Sequence, residues 1–317
     1  MIARRHILTA ALLFAAAVAA PARAEDKPAE IRIGTQKGGF FPAVRQRQTL
    51  ENAFKPLGIE VKWVDFQFGP PLLEAINIGS VDFGFVGDTP PIFAQAGGAK
   101  IRYVAAVKSE GDNQAIIVPK GSSIKTLADL KGKRVAFGKG SSAHNLLVVA
   151  LEKAGLSWSD ITPAQLAPAD ATAAFVKGSV DAWSIWDPYL ALAELKEGAR
   201  VLVFDKDVHK PNAYYIANTG FVEKYPSLVA KLNATFATES KWAEAHHEKV
   251  AKAQSEATGV DIEAVRRFVN RSTYSVVPLD AEVIRTQQAV ADRFARLGLI
   301  PKPVNVSDIV WKWTPGS

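Results

Sequence analysis

The chain has 317 residues, 48% hydrophobic and 22% charged, with no cysteine and a formal net charge of +6. That length suffices for two hydrophobic cores, and the balance excludes fibrous and disordered classes. Without cysteine there is no disulfide framework, thiolate metal site or cysteine nucleophile, and no basic stripe with interleaved aromatics marks a nucleic-acid surface.

The chain opens on a basic segment, Met1-Ile-Ala-Arg4-Arg5-His-Ile7, and an apolar run over Ile7 to Ala20. Followed by Ala22-Arg23-Ala24, the run reads as an export signal over residues 1–24, cleaved before Glu25. It is too short for a permanent membrane span, and no later stretch reaches the roughly 20 apolar residues one needs. Arg4-Arg5 fits a twin-arginine signal and the basic start of a general export signal equally. Either route predicts a free periplasmic protein, since no cysteine is available for a lipid tether. Loss of Arg4, Arg5 and Arg23 lowers the net charge from +6 to +3.

From Ile31 strands and helices alternate at short intervals. Strands are predicted at Ile31–Gly34, Ile59–Phe66, Val81–Val86 and Ile101–Val107, with helices over Ala43–Phe54, Pro71–Ile78 and Pro91–Ala96 between them. A second set follows Gln114-Ala-Ile-Ile-Val118: strands at Arg134–Phe137, Ile161–Leu166, Val180–Trp186 and Arg200–Phe204, with helices at Ser142–Ala154, Ala169–Lys177 and Tyr189–Leu195. Alternation on this scale predicts an α/β fold of two lobes, each a mixed, mostly parallel sheet flanked by helices. Asp170 to Ala182 repeats the helix-Gly-Ser-Val-Asp-strand layout of Pro71 to Phe83, which supports an internal duplication. After Tyr214-Tyr-Ile-Ala-Asn218 the pattern is helical to the end. The predicted division is a first lobe over 25–114 and 216–317 and a second over 115–215, with a ligand cleft between them.

The richest motif is Lys133-Arg-Val-Ala-Phe-Gly-Lys-Gly-Ser141-Ser142-Ala143-His144. It reads as a strand, a glycine turn and a helix start, a place where backbone N–H groups, two hydroxyls and the positive helix end converge on an anion. A serine there serves equally as a plain helix cap. Gly138-x-Gly140-x-x-Ala143 also matches a weak dinucleotide fingerprint, but no acidic residue closes the next strand near Leu166. Phosphate-loop spacing fails, because Gly140 follows Lys139 where Ser or Thr is required. A hydrolase reading of Ser141, Ser142 and His144 lacks the G-x-S-x-G surround.

Val86-Gly87-Asp88-Thr89-Pro90-Pro91 ends a strand and starts a helix at proline, at the strand end where open α/β sheets bind ligands. Asp88 fits a helix N-cap as well as the cleft, where it would accept hydrogen bonds. Trp183 and Trp186 fall on opposite strand faces, so at most one meets the cleft. Gln36 follows the first strand, where its amide can donate to an oxyanion. His246-His247-Glu248 is not a metal motif and reads as a solvated helix face.

Phe68-Gly-Pro-Pro-Leu-Leu-Glu-Ala75, Gly87-Asp88-Thr-Pro-Pro-Ile-Phe-Ala-Gln-Ala96, Lys139-Gly-Ser-Ser-Ala-His144, Pro168-Ala-Asp-Ala171 and Ala182-Trp-Ser-Ile-Trp-Asp-Pro-Tyr189 resemble the periplasmic aliphatic sulfonate-binding proteins of ABC transporters. The resemblance runs from about Ile31 to Leu299. It implies a type II periplasmic binding fold and a monomer, not an enzyme, that takes a small organic sulfonate to a membrane permease and its ATPase as a sulfur source. No cofactor or metal is implied. Ser141, Ser142, the Ala143 backbone and His144 would hold the sulfonate, with Gln36, Gly87 and Asp88 closing from the first lobe and Trp186 and Asp187 bordering from the second. The wider family also takes taurine, nitrate, bicarbonate and thiamine-related pyrimidines, and Phe66-Gln67-Phe68 departs from the stretch many sulfonate binders carry. An exported hydrolase is the alternative from another class.

Overall fold

The computed structural model describes residues 27–109 and 112–315, and the expected export signal lies outside them. Among the described residues eleven strands form two sheets: β1 (Glu30–Thr35), β2 (Glu60–Asp65), β3 (Phe83–Val86), β4 (Ile101–Lys108), β5 (Gln114–Val118), β6 (Arg134–Phe137), β7 (Thr162–Gln165), β8 (Ala182–Trp186), β9 (Arg200–Phe204), β10 (Asn212–Asn218) and β11 (Val276–Val277). The first sheet runs β11-β4-β10-β3-β1-β2 and the second β7-β6-β8-β5-β9. Each has a parallel part, β2-β1-β3 and β7-β6-β8, extended by antiparallel strands. The sheets are therefore mixed, with less parallel pairing than the alternation suggested. The antiparallel members include β5 and β10, which follow the two crossings between lobes.

Those crossings lie at 109–113 and 205–211, between β4 and β5 and between β9 and β10. Tyr214 and Tyr215, which the predicted division puts at the end of the second lobe, instead sit inside β10 of the first sheet, fully buried between β3 and β4. Their large rings explain the difference: with Ile216 and Ala217 they make up the buried centre of the strand. The expected helix over Ala43–Phe54 is two helices, Phe41–Gln46 and Thr49–Phe54, broken where Gln48 takes a left-handed conformation. His246-His247 likewise marks a break, between helices Pro226–Ala245 and His247–Thr258. His246 stacks on Trp242 at 5.0 Å and is not simply solvated.

The duplication is visible in hydrogen bonds. Asp82 takes the Arg32 backbone N–H at 2.7 Å, and Asp181 takes that of Arg134 at 2.7 Å. Each aspartate thus ties the start of its strand, β3 or β8, to the neighbouring parallel strand, β1 or β6. Six residues later the two strands end in equivalent turns, Gly87-Asp88 and Trp186-Asp187. The glycine turns Gln36-Lys37-Gly38-Gly39 after β1 and Gly138-Lys139-Gly140-Ser141 after β6 correspond in the same way. Each turn carries a glycine at a φ of 71°, a backbone region open mainly to glycine, Gly140 in the second and Gly39, one position later, in the first.

The helices that follow β10 pack on the first sheet. Phe236 of Pro226–Ala245 stacks on Phe41 at 4.2 Å, and both join Phe83 and Tyr215 in one core. Helix Ser142–Lys153 is buried on most of its circumference because it is covered by its own sheet and by the first lobe. Its Val148 belongs to the first-lobe cluster of Phe294, Ile92 and Tyr214. The lobes are in contact, which sets the geometry of the space between them.

Candidate functional site

The parallel strands of both sheets end toward the cleft, and a cavity of about 100 Å³ lies between those ends. Gln36, Gly87, Ser141, Ser142, Trp186 and Asp187 line it, so six of the nine expected residues converge on one space. Asp88, Ala143 and His144 do not line it.

On its wall stands the turn after β6. Gly140 permits the sharp entry, and Ser141 takes the N-cap position of helix Ser142–Lys153. Ser141 does not cap through its side chain: its hydroxyl donates to the Gly138 carbonyl at 2.7 Å and fixes the turn. Among the described residues the N–H groups of Ser142 and Ala143 meet no protein acceptor. At the cavity wall the free Ser142 N–H, the Ser142 hydroxyl and the positive end of a twelve-residue helix therefore meet at one point. Such an arrangement favours a tetrahedral or planar oxyanion.

His144 points the other way. Its ring stacks on Phe137 at 4.7 Å and lies against Phe93, Trp158 and Phe294. Its Nδ1 accepts from the Gly140 N–H at 3.3 Å, so it braces the turn from behind. Burial pushes its pKa down to about 3, with Lys139 adding to the shift, and the ring is neutral at physiological pH. The apolar aromatic shell explains why a residue expected to touch the anion does not. Ala143 is fully buried, and its carbonyl accepts from Ser184 at 2.8 Å.

Gly87 closes from the first lobe. A Cβ there would lie 2.7 Å from the Ser142 Cβ, so only glycine lets this turn come against the helix start. The Asp88 side chain turns away from the cavity. Its carboxylate accepts from Thr89 Oγ1 at 2.8 Å and, across the cleft, from Asn145 Nδ2 at 2.6 Å, with His209 Nε2 at 3.9 Å. Gln287 donates to its backbone carbonyl at 2.6 Å. Burial raises the Asp88 pKa to about 6 despite those hydrogen bonds.

Trp186 lines the cavity while Trp183 is buried against Phe175 in the second-lobe core, as strand alternation requires. Asp187 accepts from the Ala191 N–H at 2.9 Å and faces Arg271 of the first lobe at 3.6 Å. Burial raises its pKa to about 7, with Arg271 pulling the other way. Gln36 donates to the Phe85 carbonyl at 2.7 Å, so one of its two amide hydrogens is already used.

Sequence reasoning missed the aromatic lining of the cavity, formed by Phe40, Phe85, Phe268 and Tyr274, and the amides Asn113 and Gln114. Gly38-Gly39, the counterpart of the Gly138–Ser141 turn, was the available signal for Phe40. Arg271 and Asn145, the cross-lobe partners of the two aspartates, carried no local motif. Among the described residues no cluster of His, Asp and Glu could hold a metal, and no helix is long and apolar enough to cross a membrane.

The NMT1/THI5 like family matches residues 54–253. The chain is 41% identical to a chain of the alkanesulfonate-binding protein SsuA from Xanthomonas axonopodis pv. citri, solved bound to MOPS, with a TM-score of 0.86 over 90% of this chain and 99% of that one. It is 40% identical to an Escherichia coli K12 protein named for binding aliphatic sulfonates, over 92% of this chain and 91% of the relative. The desulfurization enzyme DSZB, at 17% identity and a TM-score of 0.65, covers 91% of this chain and 97% of its own, and shares the fold alone.

Proposed function

The chain belongs to the NMT1/THI5-like family and, within it, to the aliphatic sulfonate-binding proteins, and from that premise we propose that it captures organic sulfonates for an ABC importer. The observation that carries this reading is the mixed lining of the cavity. The free Ser142 N–H and hydroxyl line the same space as the rings of Phe40, Phe85, Phe268 and Tyr274. A sulfonate is ionised at any biological pH and offers three acceptor oxygens, so neutral donors bind it without proton exchange. Its carbon tail suits the aromatic rings.

In this reading the mature chain acts as a periplasmic monomer, without cofactor or metal, and hands its ligand to a membrane permease driven by an ATPase. The lobes divide at the crossings 109–113 and 205–211 and rotate about them. Ser141, Ser142, Gly87, Gln36 and Trp186 contact the ligand, while Asp88, Asp187, Ala143 and His144 shape and close the site. Ligand binding shifts the population toward the closed form because its contacts exist only when both walls meet. Binding without turnover fits the lack of a base beside the serines, since His144 is buried, neutral and turned away from the cavity.

Calorimetry of the mature chain against an alkanesulfonate, taurine, nitrate and sulfate tests the reading. The expected result is sulfonate binding well tighter than millimolar, beyond about −4 kcal/mol. Ser142→Ala should weaken it by about 1.5–3 kcal/mol, the scale of a hydrogen bond to a charged group. Stability should change by no more than about 1 kcal/mol. Unchanged affinity in Ser142→Ala removes the anion turn from the site, and sulfonate turnover by the wild type rejects a pure carrier.

A further inference from the structure

The cavity wall also holds two amides with unmet hydrogen-bonding capacity. Gln114 opens β5, is 9% exposed and lines the cavity, and its side-chain oxygen is buried with no hydrogen-bond partner among the described residues. Asn113 precedes it and lines the same space, and its side-chain oxygen is likewise buried and unpartnered. The backbone beneath them is fixed. Gln114 pairs with Trp186 in the sheet, and the Asn113 carbonyl accepts from the Asp187 N–H at 2.8 Å. Leaving a buried amide unsatisfied is costly, so two neighbours in that state at a cavity wall are a place prepared for a guest.

Sheet topology sets how far this place lies from the anion turn. The turn follows β6, Trp186 ends β8 and Gln114 begins β5, and these strands are consecutive in the sheet. Two strand spacings make about 10 Å. Once the Ser142 and Gln114 side chains reach inward, what remains between them is bridged by a sulfonate with a tail of a few atoms. Val107 near the end of β4 and Ser109 just beyond it also line the cavity, as does Ser272, whose hydroxyl donates to the Phe268 carbonyl at 2.9 Å.

We propose that Asn113 and Gln114 form a second polar anchor, which selects sulfonates whose short tail ends in a hydrogen-bonding group, such as a hydroxyl, over those ending in a methyl. The proposal rests on the sulfonate reading and names the substrate class within it. An amide can present either its oxygen or its nitrogen, so it can accept from and donate to a hydroxyl. A methyl at the same spot would leave both amides unsatisfied, the situation in which polar sites discriminate strongly. Asn113 lies on the crossing between lobes, so the tail end reports on the segment about which the lobes turn.

The test is calorimetry with propanesulfonate carrying a terminal hydroxyl and with butanesulfonate, which replaces that hydroxyl by a methyl of similar size. Wild-type chain should bind the hydroxyl compound about tenfold tighter, the equivalent of one buried hydrogen bond. In Gln114→Leu and in Asn113→Ala that ratio should fall toward one, with thermal melts confirming that each variant is folded. Two variants keep the test open if Gln114→Leu fails to fold. Equal or tighter binding of butanesulfonate by the wild type overturns the proposal, as does an undiminished ratio in the variants. Binding of neither compound overturns the sulfonate reading instead.

Discussion

The turns Gly87-Asp88 and Trp186-Asp187 occupy equivalent places in the two lobes, six residues beyond the paired aspartates Asp82 and Asp181, yet they grip the opposite lobe by different chemistry. Asp88 is held by neutral donors, Thr89 and Asn145. Asp187 faces the cation Arg271, which Glu194 also holds at 2.5 Å. The residue before each aspartate differs to match. Gly87 lets its turn come against Ser142, whereas Trp186 supplies a wall. One duplicated turn therefore does the same job twice: its carboxylate reaches across to the other lobe, and the preceding residue shapes the cavity. A carboxylate facing a bound sulfonate would repel it, and both aspartates avoid this by turning outward or pairing.

The largest break in this comparison is expected from Arg271→Met at pH 8. It leaves Asp187, whose side chain is fully buried, without its counter-charge. Removing one partner of a buried pair costs about 3 kcal/mol or more. Urea unfolding should show that loss, and a change below about 0.5 kcal/mol would mean that Arg271 is held only by Glu194 and contributes nothing to Asp187. The matching change opposite the first-lobe turn, Asn145→Leu in the second lobe, removes a neutral donor to Asp88 and should cost less.

Next in size is Gly87→Val, which places a side chain where the Ser142 Cβ already stands. Overpacking of this kind costs about 2 kcal/mol, and here it falls on the closed form, so sulfonate affinity should drop roughly thirtyfold. The unfolding midpoint of ligand-free protein should move far less. If affinity holds, the approach of Gly87 to Ser142 is not required for binding.

What was legible in the sequence follows the same division. Local chemistry was readable: the strand-turn-helix at Arg134–Lys153, the Gly-Ser-Val-Asp repeat, and the opposite faces of Trp183 and Trp186 all depend on near neighbours. The outward turn of Asp88 and His144 was not readable, because it depends on partners far along the chain. Asn145 and Gln287 lie 57 and 199 residues from Asp88, and Phe294 reaches His144 from the last long helix. Tyr214 and Tyr215 were misplaced for a related reason. A strand that returns to a distant sheet announces burial in its sequence, but not which lobe buries it.

The smallest expected effect separates the two aspartates by pH. Burial raises Asp88 to about 6 and Asp187 to about 7, both above the unfolded value near 3.9. A folded state with the higher pKa binds more protons, so each group's contribution is fully present below about pH 4 and is lost as pH rises through its folded pKa. Between pH 6 and 7 Asp88 goes from about half to almost fully ionised, while Asp187 goes from mostly protonated to about half. The stability of wild type minus that of Asp187→Asn should therefore keep falling across this interval, by at most about 1.4 kcal/mol. Wild type minus Asp88→Asn should fall less, by about 0.4 kcal/mol, because only the second half of its titration lies in this interval and His209 and Arg293, which face Asp88, remain in both proteins. Urea unfolding at half-unit steps of pH resolves the two curves. If both flatten at the same pH, the ion pair with Arg271 and the neutral grip of Asn145 leave the two carboxylates equivalent, and the distinction between the turns is one of shape alone.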